Sequence, residues 1–247
     1  MKFNKHLGTS LSCIFIIFSL LVACNDITDE ASPGIILVSD FSEGPQNWSP
    51  FFTNIPNNAV EEYQLQINIT PLPESTGQSR NSLYVSGSNK GLELFFFLKK
   101  EVTNLPPNML YRLRFRIDIA TNISARTNPA NQADATISGL NMLAGGLSFE
   151  PNIKGNSPIT GLLEPNFNNR FPTKVGESNS NIINLGPIRH MQENGVFHLT
   201  QLENINFPFL IRTNNAGTLW LLIGFHTDKP EDFEIYFRSV RVLFTEL

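Results

Sequence analysis

Three arginines at alternate positions are the densest group of functional side chains in the sequence. They are Arg112, Arg114 and Arg116. On a β-strand, residues two apart point to the same side and lie about 6.6–6.8 Å apart. Guanidinium groups in such a row could bind an acidic sugar or a phosphate in a bidentate manner. The sequence favours a second interpretation, a solvated face whose charges pair with carboxylates of neighbouring strands, such as Glu93 or Glu234.

A cluster of aromatic residues is the second candidate for ligand binding. Trp48, Phe51 and Phe52 lie in a segment rich in turn-forming residues. Their rings could stack on a sugar ring. They could equally fill one end of a hydrophobic core, and the sequence leaves both possibilities open. Trp220 lies in a fully apolar run and is predicted to be a core residue.

Catalytic motifs are weak or absent. The three histidines in the body of the chain are His190, His198 and His226. They lack metal-ligand spacing, so we predict structural roles for them. The adjacent Glu61 and Glu62 would point to opposite faces of a strand and cannot act as a catalytic pair. No catalytic residue is predicted, although residues distant in sequence could still form an active site.

The first residues have the organisation of a secretory signal. Lys2 and Lys5 supply a positive region, and the apolar stretch Cys13–Ala23 follows. This stretch is too short to span a bilayer, which takes about 20 residues.

The apolar stretch ends in Leu21-Val22-Ala23-Cys24, which looks like a bacterial lipobox. In that motif the cysteine is acylated and becomes the new N-terminus, and multiple acyl chains anchor a protein stably on a membrane. We therefore predict a signal peptide over residues 1–23, lipidation of Cys24 and an acidic tether over 24–33. The alternative is an ordinary signal peptide followed by a chance cysteine.

Composition limits the remaining possibilities. The chain has 247 residues, of which 41% are hydrophobic and 16% charged, so neither a disordered chain nor a coiled coil fits. Cleavage before Cys24 would leave 16 basic and 22 acidic residues, a net charge of −6, and a single cysteine. The mature protein would then have no internal disulfide, and nothing favours a nucleic-acid partner, which requires a basic surface.

The body of the chain has the apolar patterns of β-strands. Tyr63–Ile69 and Tyr111–Ile119 alternate between apolar and polar residues, as half-buried strands do. Three runs, Ile35–Val38, Leu92–Leu98 and Leu219–Phe225, are apolar on both faces and are predicted to be central strands.

Two further features complete the fold prediction. The apolar phase of the last segment flips across Arg238-Ser239, which indicates a β-bulge. Residues from about 122 to 180 are rich in Asn, Pro, Gly and Ser, and should form long irregular surface loops around one strand near Met142–Phe149. We predict an all-β fold, with residues 34–247 forming a single antiparallel β-sandwich.

Several motifs resemble those of jelly-roll, galactose-binding-like carbohydrate-binding modules. They are the opening Asp40-Phe41-Ser42-Glu43-Gly44 followed by Trp48, the middle strand Tyr111–Phe115 and the closing strand Ile235–Val242. Their order and spacing also resemble uncharacterised bacterial lipoproteins with such a domain. The resemblance implies a jelly-roll sandwich that binds glycans.

The resemblance also bears on metal binding. Modules of this type often carry an acidic pair before the closing valine, one member of which helps to hold a structural calcium. Here those positions are Arg238 and Ser239, so Asp40 and Glu43 are only weak candidates for the six to eight oxygens that Ca²⁺ needs. No other cofactor is predicted.

These observations favour a lipid-anchored protein of the bacterial cell envelope that binds rather than transforms its ligand. The expected ligand is a glycan, with Trp48 as stacking platform and Arg112 and Arg114 as polar contacts. The alternatives are a structural or adhesion lipoprotein with a protein partner, and a polysaccharide-active enzyme. Because Asn25 rather than aspartate follows the cysteine, the outer membrane is favoured.

Overall fold

The computed structural model describes residues 34–124, 139–158, 160–168, 170–192 and 195–247. The predicted signal peptide over residues 1–23, the predicted tether over 24–33 and Cys24 lie outside these residues. In chain order the strands are β1 (Ile35–Asp40), β2 (Ser49–Thr53), β3 (Gln66–Pro71), β4 (Asn81–Asn89), β5 (Leu94–Val102), β6 (Leu110–Thr121), β7 (Asn141–Leu147), β8 (Ile153–Asn156), β9 (Leu163–Pro165), β10 (Ile182–Pro187), β11 (His198–Glu203), β12 (Phe209–Arg212), β13 (Leu219–Thr227) and β14 (Glu231–Glu246). Short 3₁₀ turns span Phe41–Glu43, Asn57–Tyr63 and Glu74–Thr76. No helix of these residues is long and apolar enough to cross a membrane.

The described strands form two antiparallel sheets. The seven-stranded sheet has the order β11-β6-β14-β4-β3, with β12 also paired to β6 and β1 also paired to β14. The five-stranded sheet has the order β10-β7-β13-β5-β2, and β8 and β9 form a separate pair. The rings of Phe96 and Phe237, one from each sheet, lie 6.1 Å apart in the core between the sheets. The predicted antiparallel β-sandwich is confirmed.

Strand β6 shows why the sequence folds in this way. Tyr111, Leu113 and Phe115 are buried in the core, whereas Arg114 and Arg116 are exposed on the outer face. The alternation gives the strand one apolar and one polar face, which suits a sheet with one side in water. The half-buried strand predicted from this pattern is confirmed.

The β-bulge in the last strand is also confirmed. The register between β14 and β6 shifts between Phe237 and Ser239. Phe237 and Val240 both remain buried although three positions separate them. The extra residue lets the two halves of β14, which differ in phase, keep their apolar side chains in the same core.

The outer face of the five-stranded sheet is apolar as well. Phe95 and Phe97 of β5 are fully buried on this side. The ring of Phe171 lies 4.4 Å from that of Phe95, and the ring of Phe167 lies 5.7 Å from that of Phe97. We call the described residues between 149 and 180 the cover segment.

The prediction for residues 122–180 is therefore correct in part. Strand β7 coincides with the strand expected near Met142–Phe149, and much of the cover segment is irregular. The cover segment does not simply project from the surface, because its phenylalanines bury an apolar sheet face that water would otherwise contact.

One of the three predicted central strands is wrong. Strands β5 and β13 are central, each paired on both sides, but β1 pairs only with β14. As an edge strand it leaves Ile36 and Val38 61% and 53% exposed. The apolar segment Ile35–Val38 therefore has one of its two sides exposed to water.

Candidate functional site

A polar groove of about 370 Å³ lies on the outer face of the seven-stranded sheet. Strands β3, β4 and β14 run side by side beneath it. Gln66 lies opposite Ser86, and Ser86 lies opposite Glu234, so these three residues form one row across the strands. Asp232, two positions before Glu234, lies on the same face and also lines the groove.

A tyrosine pair adjoins this groove. Tyr84, which lines the groove, lies opposite Tyr236, and their ring centroids are 4.8 Å apart at an angle of 46°. Phe197 meets Tyr236 edge to face at 5.2 Å. Both tyrosines are half-buried, so the pair is held by its neighbours while part of its surface remains open to a ligand.

The two phenol groups remain protonated at neutral pH. Burial raises the pKa of Tyr84 and of Tyr236, and the nearby Glu234 carboxylate adds to both shifts. The Tyr84 hydroxyl donates a hydrogen bond to Glu234 Oε1 at 3.0 Å, which fixes both side chains. The site therefore keeps a positioned carboxylate beside an aromatic pair.

Two other polar side chains of the groove can form hydrogen bonds with a ligand. The side chains of Gln66 and Asp232 are exposed and form no hydrogen bond with a described residue. An amide both donates and accepts hydrogen bonds, and a carboxylate accepts them, which suits a ligand rich in hydroxyl groups. Because Asp232 and Glu234 repel negative charge, the groove disfavours an acidic ligand.

The groove carries two carboxylates from the same strand. Asp232 and Glu234 are two residues apart on one strand and lie side by side on its outer face.

Trp48 does not form the open platform that the sequence suggested. It is only 3% exposed and belongs to the core. Gln46 and Asn47 have positive φ angles of 52° and 63°, and the Trp48 amide donates to Pro45 O at 2.8 Å. This turn directs the ring inward, where the Lys100 ammonium lies 5.8 Å from the ring centroid. The other interpretation, in which Trp48 fills the core, agrees with the structure.

The arginine row lies elsewhere and does not meet Trp48. Arg112 and Arg114 are on the outer face of the seven-stranded sheet, whereas Trp48 precedes β2 of the other sheet. One arginine of the row pairs with a carboxylate of a neighbouring strand, as expected, although neither Glu93 nor Glu234 is that carboxylate. Arg116 bonds to Glu203, with 3.3 Å between Nε and Oε2. Glu234 bonds to Tyr84 instead.

Asp40, one of the two weak calcium candidates, already has bonding partners within the protein. Asp40 accepts a hydrogen bond from the Ser42 amide at 2.9 Å and forms an ion pair with Arg80. Burial would raise the pKa of Asp40, but the bonds from Arg80 and Ser42 outweigh it and lower the value to about 2. Glu43 is exposed. A cation at Asp40 would have to displace the Arg80 guanidinium.

Two of the three histidines come together, and the third lies elsewhere. The rings of His190 and His198 lie 4.8 Å apart, and His226 lies under the cover segment beside Phe171. Among the described residues, no three His, Cys, Asp or Glu side chains are grouped as metal ligands.

Sequence reasoning missed Tyr84, which lines the groove, and Tyr236, which packs against it. Tyr84 stands between the buried Leu83 and Val85, and Tyr236 stands between the buried Ile235 and Phe237. An aromatic residue in the outward phase of a strand is the signal that could have identified both.

Comparisons with solved structures find similarities at low sequence identity. No family model and no curated protein matches the sequence. The mannan-recognising module TmCBM27 is 15% identical with a TM-score of 0.38, covering 87% of this chain and 100% of that chain. The CBM22-1 xylan-binding domain of Paenibacillus barcinonensis Xyn10C is 10% identical with a TM-score of 0.38, covering 88% and 99%.

A third structure belongs to an adhesin. The K1 cleaved adhesin domain of Lys-gingipain from Porphyromonas gingivalis W83 is 13% identical with a TM-score of 0.37, covering 85% of this chain and 98% of that chain. At such identities and scores, the likeness carries no conclusion about a ligand.

Proposed function

We propose that this protein is a lipoprotein of the bacterial cell envelope that binds an uncharged glycan in the groove of the seven-stranded sheet. The aromatic pair of Tyr84 and Tyr236 beside the polar row of Gln66, Asp232 and Glu234 carries the proposal. A sugar has apolar C–H faces and hydroxyl edges. Its faces can pack on the tyrosine rings while its hydroxyls bond to the amide and carboxylates.

The groove replaces the site proposed from sequence. Trp48 is buried, and the arginine row lies on another part of the sheet. The negative charge of Asp232 and Glu234 selects against acidic sugars, which the arginines had suggested as ligands. The glycan is therefore expected to be a neutral oligosaccharide.

A glycan array followed by calorimetry tests this proposal. The mature chain is applied to the array, and a neutral oligosaccharide that binds is titrated against wild type, Tyr236→Ala and Phe149→Ala. Phe149 is a matched control, because it is a 45% exposed aromatic residue outside the groove lining. We expect Tyr236→Ala to weaken binding about tenfold or more, which corresponds to about 1.4 kcal/mol, and Phe149→Ala to leave it unchanged.

Two results would contradict the proposal. One is an array on which no neutral glycan binds. The other is an oligosaccharide whose affinity is the same for wild type and Tyr236→Ala. Loss of affinity in both variants would mean that the aromatic residues act through stability, which a thermal melt of each variant detects.

The membrane anchor is part of the proposal and rests on Leu21–Cys24. In cells supplied with labelled fatty acid, wild type should incorporate label and partition into detergent. Cys24→Ser should do neither, because it lacks the thiol that is acylated. Detergent partitioning that is unchanged in Cys24→Ser would show that the lipobox assignment is wrong. We expect the anchor to lie in the outer membrane, because Asn25 rather than aspartate follows Cys24.

A further inference from the structure

A second part of the seven-stranded sheet carries exposed apolar and basic side chains together. Ile36 of β1 lies opposite Leu243 of β14, which lies opposite Arg114 of β6. By the same registers, Val38 lies opposite Arg241, so all five residues share the outer face of the sheet.

On the far side of β6, Leu210 of β12 lies opposite Arg112. We define the basic–apolar patch by six residues: Ile36, Val38, Leu210, Arg112, Arg114 and Arg241.

The apolar members of the patch are exposed to solvent. Ile36, Val38 and Leu210 are 61%, 53% and 48% exposed. The opposite sheet buries its outer apolar face under the cover segment, but no described element covers this one. Grouped apolar side chains on a surface mark a site of interaction.

The basic members lack internal partners. Arg112, Arg114 and Arg241 form no ion pair with a described residue, and Arg112 Nε is buried without a hydrogen-bond partner among them. Arg241 lies directly opposite Arg116, whose only ion pair within the described residues is with Glu203. Like charges at directly opposed positions destabilise a sheet, so an external anion bound to these arginines would stabilise it.

The beginning of the described chain lies at this patch. A Cβ added to Gly34 would lie 2.6 Å from Leu243 Cδ1, so the chain enters the sandwich in contact with the outer side chain of β14. Cys24 precedes Gly34 by ten residues. Such a length of chain reaches at most about 36 Å. Acyl chains on Cys24 would therefore hold the patch close to a membrane surface.

We propose that the basic–apolar patch rests on the anionic phospholipid headgroups of the membrane in which Cys24 is anchored. The guanidinium groups would bind headgroup phosphates, while Ile36, Val38 and Leu210 would enter the interface between headgroups and acyl chains. The acyl anchor belongs to the function proposed above, but the patch is independent of the glycan groove. A protein partner lacks support here, because the charge of the patch and the nearby chain entry both match a membrane.

Vesicle binding by a chain without acyl groups separates the patch from the anchor. The mature chain, residues 24–247 with Cys24→Ser, is produced without its signal peptide and mixed with phosphatidylcholine vesicles that contain or lack phosphatidylglycerol. We expect sedimentation with the anionic vesicles alone, and a loss of binding as salt is raised, because exposed charges are screened.

Charge reversal then tests the residues. The double variant Arg114→Glu/Arg241→Glu should bind the anionic vesicles at least tenfold more weakly than wild type. Lys154→Glu is a control, because Lys154 is an exposed basic residue of β8 outside the patch. Ile36→Ser/Val38→Ser should also weaken binding, and a thermal melt of each variant establishes that it is folded.

Two outcomes would overturn this inference and leave the groove and the anchor untouched. The first is a wild-type chain that does not bind anionic vesicles, including the case in which the patch captures a protein instead. The second is equal binding by wild type, the arginine double variant and Lys154→Glu. Failure of Cys24 acylation in cells would instead contradict the anchor. It would leave the vesicle result unaffected, because that experiment uses a chain without acyl groups.

Discussion

The stability of this protein should fall in mild acid because the half-buried His226 lies under the cover segment with its ring nitrogen Nε2 shielded from water. His226 lies on β13, and its ring is stacked on that of Phe171 at 4.0 Å and 26°. Its neighbours across the strands are Phe95 and Asn141. Burial lowers the pKa of His226 to about 4, although the nearby Asp228 acts in the opposite direction.

The sign and size of the effect follow from this shift. A histidine in the unfolded chain has a pKa of 6.5, so between about pH 6.5 and 4 the unfolded state binds more protons than the folded state. The stabilisation from neutral His226 is complete above pH 6.5 and is lost progressively as the pH falls towards 4. The full shift corresponds to about 3 kcal/mol, of which about 2 kcal/mol is lost between pH 8 and pH 5.

Denaturant unfolding at pH 8 and pH 5 measures the effect. His226→Phe keeps an aromatic ring beside Phe171 but cannot be protonated, so it should lose about 2 kcal/mol less stability than wild type between the two pH values. His190, whose pKa is also lowered by burial and then by His198, is present in both proteins and cancels in the difference. An equal loss in wild type and variant would refute the burial of a neutral His226.

Two further mutations test the core directly. Trp48→Ala should lower the free energy of unfolding by about 3–5 kcal/mol, because the ring is 3% exposed, and a melting temperature close to that of wild type would contradict its place in the core. Phe115→Ala should cost about 3–5 kcal/mol and Arg116→Ala about 0.5 kcal/mol or less, as measured by denaturant titration, because these neighbours lie on opposite faces of β6. Similar losses at both positions would contradict the orientation of the strand.

The local features of the fold could be predicted from the sequence because they depend on side-chain periodicity. The alternation in Tyr111–Ile119 determined which face of β6 is buried, and the phase change at Arg238-Ser239 identified the bulge. Both follow from the two-residue period of a strand and require no knowledge of its neighbours.

Features that depend on neighbouring strands could not be predicted. An apolar run such as Ile35–Val38 is compatible with a central strand or with an edge, and only the pairing with β14 decides. The groove combines Gln66 of β3 with Glu234 of β14, which are far apart in sequence. Trp48 was misplaced for a third reason, since a turn with two positive φ angles determines where its ring points.

The position of the cover segment in the chain has a consequence for folding. Five consecutive residues of β5, Leu94–Leu98, are buried because one of its faces meets the other sheet and the other meets Phe167 and Phe171. Those two phenylalanines follow β5 by about 70 residues, so a nascent chain displays an apolar strand before its cover exists. Such a strand can pair with another chain, which makes aggregation compete with folding. The yield of folded protein should therefore depend on how soon the later part of the chain covers β5.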